Sequence, residues 1–431
     1  MTATALVAAT TLLWPGATAP AAAKESAEPR HVSYREWSDA DAFAAGRSDG
    51  VQVQPGGRLA LGDGAGETSY TDPFGDGNAK KYRTGTWTSP THEHEPGFGT
   101  TEAVASWNAD TPTGTWIEVG FRGQVTGSGR WTKWYTMGRW TSGDDFAAGD
   151  IHRTSVPSQG DDDGYVAVDT FVAAKKNDVD GVQLRVRLHA PAGSDATPKV
   201  SKASVLTSLL PDGKKVPTSD FTLGREIDLE VPGFSQNIHE GHYPEYDNGG
   251  EAWCSPTSTT MALYHWDRTV PAGDTDWVEP KPHQGPQVDY AARNTYDYDY
   301  EGAGNWSFNT AYAAEFDQME GFVTRLRSLA EAERFIERGI PLVVSVSFDE
   351  KDMDGAGYST TGHLFVIAGF TEDGDVIVND PATREGDEVP RVYRRDQVEN
   401  AWLPHSGGLT YVLHPSDVEL PPTTTADEPN W

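Results

Sequence analysis

Sulfur chemistry is nearly absent from this chain of 431 residues: it has one cysteine, Cys254, so no disulfide can form within it. Three readings stay open for a lone thiol: a small buried hydrophobe, an intermolecular link or a working thiolate. Basic residues are the minority, 34 against 65 acidic, for a formal charge of −31. A phosphate backbone is repelled by such a field, which argues against nucleic acid as a partner. The acidity is spread along the chain and reads as solubility. Long apolar runs are missing too. Nothing beyond residue 30 approaches ~20 continuous apolar residues, so no membrane span is expected. What is present suits burial: 14 tryptophans and 37% hydrophobic residues, in a length that fits two or three compact units.

Residues 3–14 form an apolar stretch too short to span a bilayer, and Ala21-Ala22-Ala23 before Lys24 fits a small-residue cleavage site. No Lys or Arg precedes the run, which leaves an alanine-rich arm or an upstream start as alternatives. The expectation is a signal peptide over 1–23 and a secreted, extracellular protein.

From 31 to 210 the sequence is rich in strand signals. TWIEVGFRGQV (115–125) alternates Ile117, Val119 and Phe121 with Glu118 and Arg122, and VQLRVRLHA (182–190) has the same period of two. That pattern puts apolar residues on one face of an antiparallel sheet. Strands are also expected at 166–174 and 202–210, separated by Gly-, Asp- and Ser-rich turns, so this region predicts a β-sandwich or jelly roll. Residues 211–230 read as a linker at which the chain should divide into two soluble pieces. After it come helical signals at 258–268, 310–320 and 328–339, the last stopping at Gly339, and then strands at 341–348, 363–370, 375–380 and 409–414. Helices followed by a run of strands predict an α+β domain over 231–415. The polar end, 416–431, predicts a frayed tail.

Cys254 stands just before Pro256 at the start of a helical signal, where the helix N-terminus favours a thiolate. A base is needed next. His363 opens an apolar strand after the glycine-rich loop DMDGAGYSTTG, and Asp380 ends the following strand, 17 residues on. If the two strands pair as a hairpin, Asp380 lies level with His363 and can accept the imidazole N–H, the nucleophile–base–orienter logic of covalent catalysis. Alone, Asp380 before Pro381 would read as a turn cap; the ordered set of Cys, His and Asp favours function.

These residues resemble the papain-like cysteine peptidases of the bacteriocin-leader-processing type, and more narrowly the stand-alone secreted members of high-GC Gram-positive bacteria. The similar pieces are VPGFSQ (231–236), WCSPTSTTMAL (253–263), NWSFNTAYAA (305–314), AERFIERGIPLVVSV (332–346), GHLFVIAGF (362–370) and DVIVNDPA (375–382). The resemblance implies an α+β papain-like domain after the sandwich. It implies Cys254 as nucleophile, His363 as general base, Asp380 as its orienter, and Gln236 as an oxyanion donor beside the backbone N–H of Cys254. Trp253, Ser255, Asn305 and Trp306 would line the substrate groove. Two departures stand out. Ser255 replaces the family's usual glycine, so a Cβ there is expected to narrow the groove. The 17 residues between Gln236 and Cys254 exceed what many relatives have; their His239 and His242 match no standard ligand spacing, so a solvated loop along the cleft is expected, with no metal and no cofactor. Leader processing does not carry over, since the chain has neither membrane spans nor a Walker sequence.

The implied function is a secreted cysteine peptidase acting on peptide or protein substrates. Its rivals are an inactive papain-like scaffold that binds protein or carbohydrate, and an acyl transferase of the same clan. Trp116, Trp131, Trp134 and Trp140 raise cell-wall carbohydrate as a partner of the first region, against the plainer reading of core tryptophans.

Overall fold

The computed structural model describes residues 29–93, 97–213, 215–383 and 388–431. The signal-peptide expectation lies outside the described residues. Residues 31–209 build two antiparallel sheets of seven and eight strands. The first is centred on Glu102–Asp110 paired with Lys199–Leu209, the second on Trp116–Val125 paired with Val179–Pro191. Strand period decides how they stack. Val182, Leu184, Val186 and Leu188 are all buried while Gln183, Arg185 and Arg187 between them are half-buried. Each such side chain contributes about 1.5–3 kcal/mol of burial. Across the stack, Phe121 meets Phe171 with ring centroids 4.8 Å apart, and Trp37 meets Trp87 edge-on at 5.7 Å. The expected strand 166–174 is instead a hairpin, Gly164–Ala167 with Thr170–Ala173. It turns at Val168, which takes φ 57°, a left-handed conformation unfavourable for a β-branched residue.

The second region is one antiparallel sheet. Its order runs Met319–Arg325, Leu409–Pro415, Leu342–Phe348, Thr360–Phe370, Val376–Asn379 and Pro390–Tyr393, with Ile227–Asp228 added to Thr360–Phe370. Both faces are covered, which explains why its strands read as continuous apolar runs. Leu364, Val366 and Ala368 turn to one core with the helix Cys254–His265, while Phe365 and Ile367 turn to another with Phe335, Ile336 and Trp402. Those three belong to the helices Leu329–Glu337 and Arg395–Ser406. The expected helix 310–320 is shorter and earlier, Trp306–Ala313, and a strand begins at Met319.

Two boundary expectations are corrected. The segment taken as a linker is fastened to the second region: Ser219 donates to Glu399, Thr222 N–H to Glu333 at 2.8 Å, and Phe221 and Leu223 pack on the second core. The polar tail is also held. Asn430 is buried and donates to Glu331, Tyr34 N–H donates to Pro429 O, and Trp431 packs on Phe335. Hydrogen bonds, which composition does not report, do what apolar content would have done.

The two regions share one core. Phe308 lies against Trp140 and Trp107, at 5.3 and 6.1 Å. Asn108 Nδ2 donates to Gly321 O at 2.7 Å, and Val323 N–H donates to Ser106 Oγ at 2.9 Å. Buried Lys202 is paired with Glu36 at 3.0 Å and Glu320 at 2.7 Å.

Candidate active site

Cys254 is the first residue of its helix, which follows a tight turn over Gly250–Trp253. The unpaired N–H groups of that first turn put positive partial charge beside the sulfur. Ser258, one turn on, donates to Leu364 O at 3.0 Å and so ties the helix to the strand Thr360–Phe370. That strand carries His363, buried and in register with Val346. The next strand pairs Val366 with Asn379, so Asp380 leaves the sheet close by, and its Oδ1 is 2.9 Å from His363 Nε2. With Nε2 engaged, Nδ1 is the ring nitrogen left to serve Cys254, which contributes to the imidazole's raised pKa.

Charge in this buried set follows from its partners. Burial works against a charged imidazole, but the hydrogen bond to Asp380, the Asp380 charge and the Cys254 contact outweigh it, raising His363 to about 10. Burial likewise disfavours the Asp380 carboxylate, yet His363, Tyr393 and the Ala382 N–H hold it well below the usual range. Four donors surround it. Oδ1 accepts from His363 and from Ala382 N–H at 3.0 Å; Oδ2 accepts from Tyr393 OH at 2.7 Å and Tyr358 OH at 2.9 Å. Tyr358 belongs to the glycine-rich loop, which is pinned from within by buried Met353 and Ala356. Neither tyrosine is marked out by the sequence. Their distance from Asp380 in sequence hides them, although both are large polar rings flanking apolar strands.

Gln236 is buried, and its backbone N–H donates to Pro381 O at 2.9 Å, next to Asp380. Its side-chain Oε1 has no hydrogen-bond partner, which is unusual for a buried amide. The turn Asn237–His239 that follows packs on the turn leading to Cys254.

The groove residues are a different matter. Trp253 is buried against Val288, Ala292 and Ala303, with its indole N–H on Tyr246 O at 2.6 Å. Ser255 is buried and its Oγ meets Tyr411 OH at 3.0 Å, so it points into the fold and does not narrow a groove. Asn305 caps the helix Trp306–Ala313 by accepting the Phe308 N–H and donates to Asp297 at 2.9 Å. These three serve the interior. Trp306 is half-buried, and its N–H donates to Asp169 Oδ2 at 2.6 Å, a carboxylate supplied by the first region's Val168 turn.

The segment between Gln236 and Cys254 is not a solvated loop throughout. His239 is fully buried, and it stands with His242 beside His283 and Asp289.

Residues 33–208 match the family described as the peptidase C39 N-terminal domain, and residues 228–409 match the Peptidase_C39 like family. No curated protein matches the chain. Among solved structures, it is similar to a "putative C39-like peptidase" from Bacillus anthracis, at 18% identity and TM-score 0.29, covering 44% of this chain and 97% of that one. It is also similar to TmCBM61 in complex with β-1,4-galactotriose, at 9% identity and TM-score 0.16, over 40% of this chain and 86% of that one. A third is the N-terminal endo-1,4-β-D-xylanase 10B of Clostridium thermocellum, at 11% identity and TM-score 0.17, over 44% of this chain and 32% of that one. These structural likenesses are too slight to bear on function. The two family matches span both regions of the described fold, and the chain belongs to the peptidase C39-like family.

Proposed function

We propose that this chain is a secreted cysteine peptidase that hydrolyses peptide bonds in extracellular peptides or proteins. One observation supports the reading: a thiol at a helix N-terminus contributes to the raised pKa of a buried histidine, whose Nε2 is 2.9 Å from a buried carboxylate. Cys254 attacks the scissile carbonyl carbon, and the tetrahedral oxygen is held by the Cys254 N–H and the Gln236 amide. His363, as the imidazolium, gives its proton to the leaving amine. The thioester that remains is hydrolysed by water, with His363 now taking the proton. Asp380 keeps the ring oriented and supports its charge. A helix that begins with Cys254, tied to the strand that carries His363, suits this sequence of steps.

Carbohydrate binding is not part of the proposal for the first region. Trp116 and Trp140 are buried. Trp131 lies under the Arg122 guanidinium at 4.2 Å, and Trp134 between Arg122 and Arg185, at 4.6 and 4.5 Å, so these rings are already occupied.

The test uses the full chain and Cys254→Ala, each incubated with a proteome-derived peptide library and read by mass spectrometry. Cleavage by the first alone is expected. Equal products from both, or none from either, would favour the inactive scaffold; products extended by added amines would favour the transferase.

A further inference from the structure

Away from the thiol, four side chains converge. His239 and His242 come from the segment between Gln236 and Cys254, His283 from the loop before the helix Pro286–Thr295, and Asp289 from the first turn of that helix. One ligand atom from each lies within 4.8 Å of all the others. Asp289 Oδ2 is 3.0 Å from His239 Nδ1 and 3.8 Å from His283 Nε2, while Oδ1 is 3.1 Å from His242 Nδ1. His283 Nε2 and His242 Nδ1 are 3.0 Å apart.

Hydrogen bonding does not account for this cluster. His239 and Asp289 are fully buried, yet His239 Nδ1 and Asp289 Oδ2 have no hydrogen-bond partner in spite of their closeness. His242 Nδ1 faces both a carboxylate oxygen and a second imidazole nitrogen. A single ring nitrogen carries either a proton or a lone pair, so it cannot donate to Asp289 and accept from His283 together. Protonating all three rings would set three cations around one carboxylate in a mostly buried space, at heavy desolvation cost.

A divalent cation removes the conflict, because every nitrogen then presents its lone pair to one centre and the carboxylate offsets part of the charge. Metal–ligand bonds of about 2.0–2.1 Å in a tetrahedron set ligand atoms about 3.3 Å apart. From Asp289 Oδ2 to His239 and His283 the spacings are 3.0 and 3.8 Å, and His283 stands 3.0 Å from His242, values on either side of that one within a set whose atoms all lie within 4.8 Å. Three imidazoles and one carboxylate suit zinc, whereas calcium and magnesium prefer oxygen throughout.

We propose that His239, His242, His283 and Asp289 form a zinc-binding site. Four protein ligands close the coordination shell, so the role is structural. The metal fastens the segment that begins at Gln236 and ends at Cys254 to the helix Pro286–Thr295. Trp253 reinforces the same junction by packing on Val288 and Ala292 of that helix.

The full chain carrying Cys254→Ala is the material for the test, since it lacks a thiol that might capture zinc. It is stripped with chelator and titrated with zinc against a chromogenic competitor. One equivalent is expected to bind. His242→Gln and His283→Gln, at the two less buried positions, are expected to weaken binding by at least about 100-fold. Cobalt is expected to give the visible absorption of a tetrahedral site in the parent and not in these variants. Zinc should raise the melting temperature of the parent alone. Binding below about a tenth of an equivalent, or binding unchanged by both substitutions, overturns the site. The readout is metal content in a thiol-free chain, so it is independent of whether the protein cleaves peptides.

Discussion

Replacing Asp380 with asparagine tests the base and its support in one step. The amide can keep its oxygen toward His363 and the Ala382 N–H, but its NH2 then faces the hydroxyls of Tyr358 and Tyr393, which now donate to Oδ2. Both phenols must turn and lose their acceptor, a penalty of about 1–3 kcal/mol in stability. The larger effect is on charge. His363 is raised from 6.5 to about 10 against the pull of burial, and Asp380 supplies the leading contributions to that rise. Without the carboxylate, burial wins and the imidazolium is lost near neutral pH. A return from about 10 to the ordinary 6.5 already leaves only about a quarter of the rings charged at pH 7, and each further step of 1.36 kcal/mol that burial adds cuts that fraction about tenfold. The sign of the linkage is fixed by the same shifts. The raised imidazole adds stability that is complete below 6.5 and gone once the pH passes about 10. The lowered Asp380 adds stability present above 3.8 and lost as acid is added. Alkylation of Cys254 by iodoacetamide needs no knowledge of the substrate, so its rate against pH is the assay, with melting temperature beside it. The acid limb of the profile is expected to move upward in Asp380→Asn. Asp380→Ala should unfold more easily still, because four donors lose their acceptor. A profile that coincides with the wild type, in a protein that melts lower, would show that Asp380 only caps the turn before Pro381.

Gln236→Ala is expected to lower peptide turnover by about 10²-fold with little change in melting temperature, measured against active-site titre; a change below threefold would place the amide elsewhere. A piece starting near residue 215 should aggregate or melt far below the full chain on gel filtration and scanning calorimetry, because Phe308, Glu320 and Val323 would lose their partners in the first region. Burial, with the Asp297 charge added, raises Asp169 to about 7. A raised carboxyl destabilises the fold increasingly as pH climbs from 3.8 to about 7, so Asp169→Asn should gain stability over the wild type across that range, by at most about 4 kcal/mol; a pH-independent difference would sink the idea.

Strand period and residue order made much of this molecule legible. The alternation in 182–190 gave its buried face directly, and the hairpin reading placed Asp380 beside His363, 2.9 Å away in the fold. What stayed hidden was cooperation between distant parts. Tyr393 and Tyr358 reach Asp380 only because Pro390–Tyr393 pairs beside Val376–Asn379 and the glycine-rich loop folds back. His239 and His242 are three residues apart, but His283 and Asp289 lie some 40 residues on, and no local spacing announces such a set. The inward turn of Ser255 is hidden from the sequence for a related reason. Chain position beside the thiol says nothing about which way a side chain points, and Tyr411, far along the sequence, draws it inward. The tail and linker failed as composition arguments because both are held by directional bonds from buried acidic groups, Glu331, Glu333 and Glu399.

The helix Trp306–Ala313 shows why the first region is better regarded as a buttress than as a detachable module. Its Phe308 reaches Trp107 and Trp140, and its Ser307 Oγ donates to Ala105 O at 2.6 Å. Its start is set from both sides: Trp306 N–H is held by Asp169, and Asn305 by Asp297, whose other oxygen accepts the Ser155 N–H at 2.9 Å. Its Asn309 Oδ1 then accepts from Thr259 Oγ1 at 3.2 Å, in the helix that begins with Cys254. Two hydrogen bonds and one short helix therefore separate the Val168 turn from the thiol's own helix. A turn that places a β-branched residue at positive φ costs about 1–3 kcal/mol, and it persists because it delivers Asp169 to that junction. Loosening the first region should accordingly move the thiol's helix relative to His363, an effect on catalysis transmitted by position and not by loss of folding alone.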